Sequence, residues 1–107
     1  MKLTRLAALA VALALSGCAG LLGREFPSPE AVQIKNDVTD KARLLTLFGE
    51  PYQVGIDNGD QAWRWFYAQR SASATTSKDL SVRFNANGTV KSYSFTSNFP
   101  DDMKKLR

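Results

Sequence analysis

The spacing of apolar residues changes character along this chain, and each change predicts an element. Residues 6–15 are an unbroken run of Leu, Ala and Val. At about ten residues, this run is shorter than the roughly 20 that a membrane-spanning helix needs. Lys2 and Arg5 precede or open it, and Ser16 and Gly17 follow it before Cys18. A positive start, a short apolar core and a small-residue exit form the pattern of a secretory leader.

A helical period comes next. Val38, Ala42, Leu45 and Phe48 recur on one face, and Leu44 and Leu47 widen the arc. This predicts a helix over residues 39–48, with Thr39 as its cap and Asp40 in the first turn. Gly49 suits the left-handed position after the last turn, and Pro51 bars continuation. Ser28, Pro29 and Glu30 suggest an earlier short helix over residues 30–34, with an extended segment as the competing reading.

Beyond Pro51 the period falls to two. Residues 52–56 form a weak first strand. In residues 62–69, Trp63, Trp65 and Tyr67 share one face. Leu80, Val82 and Phe84 alternate with Ser81 and Arg83, and residues 89–96 complete the strands. Asp57-Asn58-Gly59-Asp60 and Asn85-Ala86-Asn87-Gly88 read as turns, and residues 71–77 as a polar loop. The last hairpin carries a register conflict. Pairing Val90 with Phe84 sends Tyr93 and Phe95 to the opposite face. A bulge near Lys91 and Ser92 reconciles the two.

The segments fall into a leader (residues 1–17), a tether (18–27), one α+β domain (28–97) and a flexible charged tail (98–107). Without the leader about 90 residues remain, enough for one small domain. The chain carries +4, and losing Lys2 and Arg5 leaves about +2, too little to argue for a nucleic-acid partner. There is no histidine, which excludes histidine-ligated metal and Ser-His-Asp chemistry. The ten carboxylates sit at caps, turns and the tail, so no catalytic pair is expected. Asp57, Asn58 and Asp60 lack the twelve-residue loop of a calcium site. The expectation is no enzyme, no metal and no cofactor.

One cluster stands out for recognition. With Trp63, Trp65 and Tyr67 turned inward, Phe66 points away from the helices, beside Arg64. Arg64, Phe66 and Arg70 are the candidate partner contacts, because aromatic residues and arginine dominate binding hot spots.

Leu15-Ser16-Gly17-Cys18 resembles the lipobox of bacterial lipoproteins. That resemblance implies cleavage after Gly17, lipid on the Cys18 sulfur, and usually a further acyl chain on its nitrogen. Two or more chains anchor a protein stably. Ala19 in place of aspartate then implies the outer membrane, on its periplasmic face. As the only cysteine, Cys18 leaves no disulfide.

The order of motifs resembles the SmpA/OmlA family of small outer-membrane lipoproteins, to which a subunit of the β-barrel assembly machinery belongs. The likeness spans residues 34–95. Thr39, Gly49 and Pro51 bound the helix, and Trp65 and Tyr67 mark the aromatic strand. Leu80, Val82, Phe84, Gly88 and Val90 lie in the final hairpin. Asp37 stands where the family usually has glycine, and aspartate tolerates left-handed backbone better than most residues. The resemblance implies an α+β fold, with one or two short N-terminal helices on a three-stranded antiparallel sheet, as also seen in a proteinaceous β-lactamase inhibitor. It implies partners among outer-membrane assembly or other envelope proteins, with a role as an inhibitor or recognition module for an envelope enzyme as the alternative.

Overall fold

The computed structural model describes residues 20–107, so the leader and Cys18 lie outside the described residues. The chain forms β1 (Leu21–Gly23), α1 (Lys41–Phe48), β2 (Gln53–Asp57), β3 (Asp60–Arg70), β4 (Thr75–Phe84), β5 (Val90–Ser97) and α2 (Pro100–Leu106). All five strands join one antiparallel sheet. β3, β4 and β5 lie side by side, while β2 and β1 share the remaining edge of β3. β2 pairs with the first half of β3, from Asp60 to Arg64, and β1 with Tyr67 to Gln69.

This overturns the three-stranded fold with N-terminal helices. The sheet has five strands, and the helices sit in separate parts of the chain, one of them at its C-terminal end. The two added strands are weakly marked by burial. Every residue of β1 and β2 is exposed, so no buried face writes an alternating pattern into either. Hydrogen bonding to β3 makes them strands.

The short helix expected over residues 30–34 is one turn. The Gln33 amide donates to the Glu30 carbonyl at 3.0 Å, and the Gln33 side chain accepts from the Glu30 amide at 3.1 Å. Ser28 does not cap it, because its hydroxyl donates to Asp102. Phe26 and Ile34 on either side of this turn are both buried.

α1 begins later than expected and faces a different way. Asp40 is the cap, accepting from the Arg43 amide at 2.9 Å. Thr39 is buried instead, and its hydroxyl accepts from the Lys35 amide. Leu44 and Phe48 are buried, whereas Val38, Ala42 and Leu45 are exposed. The i, i+4 pair Leu44 and Phe48 therefore defines the packed stripe. Gly49 takes φ 81°, and its carbonyl accepts from the Trp65 indole at 3.0 Å.

The sheet has one packed face. Trp65, Tyr67, Leu80, Val82, Phe84 and Val90 form the core with Phe26, Ile34, Leu44 and Phe48. Phe48 meets Trp65 edge-on at 5.8 Å, and Phe99, just before α2, stacks on Tyr67 at 6.0 Å. Both helices thus serve the same face. The register conflict is resolved by an irregularity beside Phe84: Phe84 pairs with Val90, but Arg83 pairs with Ser92. Lys91 is the extra residue of the bulge. Val90, Tyr93 and Phe95 can then all approach the core.

Asn58 and Gly59 take φ 49° and 85°, a two-residue turn that Asn-Gly adopts readily. Asp37 takes φ 66°, and its carboxylate accepts from Asn85. The segment beside it covers the start of β5: Asp37 donates to the Val90 carbonyl at 2.7 Å, and Val90 donates to the Thr39 carbonyl at 2.8 Å.

Two segments expected to be irregular carry secondary structure. The tether contains β1. The charged tail forms α2, with Pro100 in its first turn, Asp101 and Asp102 near its start and Lys104 and Lys105 in its last turn. That order suits the helix dipole. Asp102 is buried, which is what the charge pattern alone conceals.

Candidate functional site

The face of the sheet opposite the core is built by the other half of each alternation. On β3 it carries Ala62, Arg64, Phe66, Ala68 and Arg70. Arg64 lies between Gln53 of β2 and Ser81 of β4, and Ala62 between Gly55 and Arg83. Glycine, alanine and serine thus form a low floor between two arginines. The hollow is about 510 Å³ and is lined by Gln53, Gly55, Ala62, Arg64, Ser81 and Arg83, among others.

Arg64 is held in place on three sides. Its Nε donates to Asp79 Oδ2 at 2.9 Å, and its Nη1 donates to Gln53 Oε1 at 3.1 Å. Its guanidinium lies 4.8 Å from the centre of the Phe66 ring. The bond to Asp79 raises its pKa above the ordinary arginine value, against a smaller opposing effect of burial. Its charge is therefore permanent. Tyr52 extends the aromatic surface, with its ring 6.0 Å from that of Phe66. A cation above an aromatic face, already ordered by two polar partners, costs little further entropy on binding.

Of the three residues expected to make contacts, Arg64 and Phe66 come together and Arg70 does not. Arg70 lies six positions along the strand, roughly 20 Å from Arg64 at strand rise. Its backbone amide instead holds Gly20, at 2.8 Å. Tyr52, Gln53 and Asp79 join the cluster without a sequence signal of their own. Strand register puts them there: Gln53 opposite Arg64, and Asp79 opposite Phe66.

In the Asp57–Asp60 turn the carboxylates are occupied by cations of the chain itself. Asp60 accepts from Arg83 at 2.6 Å and from Lys91 at 2.9 Å, and Asp57 lies 3.8 Å from Arg83. Hydrogen bonds from Lys91 and Arg83 hold the Asp60 carboxyl below the usual carboxylate range, against a smaller effect of burial.

A second polar cluster lies on the core side. Asp102 accepts from Ser28 at 2.9 Å and from Ser97 at 2.6 Å, and Lys78 Nζ donates to Ser28 at 3.2 Å. Lys78 also lies near the rings of Phe26 and Phe99, at 4.9 and 5.5 Å. Burial pushes its pKa down, against the attraction of Asp102 and Glu25. The serine proton is directed to a carboxylate, so the cluster joins the N-terminal segment to α2.

Among the described residues, no helix is long and apolar enough to cross a membrane. The site is thus a solvated sheet face with a preordered Arg-aromatic pair, on a sheet whose other face carries both helices. No family model, curated protein or solved structure matches this chain.

Proposed function

We propose that this protein is a lipoprotein, held by Cys18 at the periplasmic face of the outer membrane, that acts as a protein-binding scaffold in envelope integrity or outer-membrane protein assembly. The Arg64–Phe66 pair, on the sheet face that neither helix of the described residues covers, carries the binding reading. The leader and lipobox support the anchor and with it an envelope partner; the motif order resembles that of SmpA/OmlA lipoproteins, although the five-stranded sheet departs from the three-stranded fold that this resemblance implied. Confinement to one surface raises the effective concentration of anchored partners, so a modest contact suffices. The inhibitor alternative rested on a three-stranded fold analogy that the five-stranded sheet removes.

A photo-crosslinking amino acid at Phe66 in intact cells tests the contact, with the same group at Val38 as control. The expected result is capture of outer-membrane assembly proteins, identified by mass spectrometry, from position 66 alone. Arg64→Ala should weaken that capture. The Arg64–Asp79 pair is partly exposed, so its loss should cost at most about 1 kcal/mol of stability and cannot mimic unfolding. Capture of lipid alone sinks the binding reading. Absence of incorporated palmitate, or unchanged membrane fractionation of Cys18→Ser, sinks the anchor.

A further inference from the structure

The attachment point and the sheet are almost contiguous. The Arg70 amide donates to the Gly20 carbonyl at 2.8 Å, so hydrogen bonding to the sheet begins at Gly20. Two residue steps separate Gly20 from Cys18, and they span at most about 7 Å. A lipid on Cys18 therefore leaves the domain no slack with which to stand off from the headgroups.

The corner that this brings to the bilayer has a matching surface. Leu21 and Leu22 are 71% and 59% exposed, and as neighbours in a strand they point to opposite faces of the sheet. Ala72 and Ala74 are exposed in the adjoining β3–β4 turn. Leu21, Leu22, Ala68 and Arg70 line a hollow of about 360 Å³ there. At this corner, over residues 20–22 and 68–76, the charged residue is Arg70. A guanidinium beside exposed leucines suits a phospholipid surface, with the cation at the phosphates and the apolar chains below it.

β1 also lies close against β3. Gly23 has φ 79°, and a Cβ there would overlap the Phe66 carbonyl oxygen. The next amide, that of Arg24, donates to this same oxygen at 3.0 Å. We infer that the corner formed by β1 and the β3–β4 turn docks on the phospholipid surface and fixes the orientation of the domain. This rests on the proposed acylation of Cys18. The β2–β3 turn then lies at the other end of β3, about 33 Å away along the strand.

The test uses the full acylated chain in vesicles of phosphatidylethanolamine and phosphatidylglycerol that contain a lipid-borne quencher. A fluorophore is placed through Ser73→Cys or, separately, Asn58→Cys, and mass spectrometry confirms the acyl chains on each sample. The expected result is several-fold stronger quenching at position 73 than at 58. Leu21→Glu with Leu22→Glu, or a flexible insertion between Ala19 and Gly20, should erase that difference while acylation persists. Equal quenching in acylated protein overturns the docking and leaves the anchor standing. Shielding at position 73 that depends on protein density, not on the lipid quencher, would put a second copy of the chain on this corner and also overturn it. A chain without acyl groups overturns the anchor and the docking together.

Discussion

The Ser28 hydroxyl donates to the Asp102 carboxylate at 2.9 Å across 74 positions of sequence, closing the N-terminal segment against the last helix. Ser97 donates to the same oxygen at 2.6 Å. Replacing Asp102 by alanine would leave both hydroxyls without their acceptor and Lys78 without its nearby carboxylate. The expected loss is about 1–3 kcal/mol. It should appear in urea unfolding as a lower midpoint at unchanged slope. Asp102→Asn keeps one oxygen acceptor and should cost less.

Leu44 and Leu45 are neighbours with opposite fates. Leu44 is fully buried, whereas Leu45 is 36% exposed. Leu44→Ala should cost about 2–5 kcal/mol, as lost burial plus a residual cavity. Leu45→Ala should cost markedly less, because part of its surface already lies in water. Equal losses in thermal or urea unfolding would place the packed stripe of α1 wrongly.

Gly23→Ala should act locally. Its positive φ and the nearby Phe66 carbonyl both oppose a Cβ. The β1–β3 pairing should open, with faster hydrogen exchange at the Arg24 and Arg70 amides, while the Leu80 and Val82 amides in the centre of the sheet keep their protection.

Two groups each make stability rise with pH, in separate windows. Asp60 has a lowered pKa in the fold, so its contribution is full above the ordinary carboxylate range and is lost as pH falls through its folded value. Asp60→Asn should flatten the acid limb of the stability profile. Lys78 also has a lowered pKa, so here too the unfolded chain holds the proton more tightly; for this base it is the charged form that the fold disfavours. Its contribution to stability therefore rises as pH climbs through the window just below the ordinary lysine value. Lys78→Met should remove that rise, as read from urea midpoints at a series of pH values.

The recognition surface was legible in part. Strand alternation separates Arg64 and Phe66 from Trp65 and Tyr67 before any contact is known. It also places Arg70 on the same face, and six positions at strand rise already put Arg70 too far from Arg64 to join them. Asp79 becomes a partner of Arg64 only through the pairing of β3 with β4, and Tyr52 joins Phe66 only because β2 lies along the edge of β3.

The amino-acid order alone determined features whose causes are local. The Asn58-Gly59 turn, the stop at Gly49, the inward set Trp65, Tyr67, Leu80, Val82 and Phe84, and the bulge at Lys91 all follow from backbone preference and side-chain period. The tertiary structure decided what depends on distant partners. β1 and β2 are strands because β3 offers them an edge, and α2 is docked because Ser28, Ser97 and Lys78 gather around Asp102. The stripe of α1 turns to Leu44 because the sheet presents Trp65 to Phe48. A segment with little buried surface writes no period into its residues, so its structure is set by hydrogen bonds and contacts supplied from elsewhere in the chain.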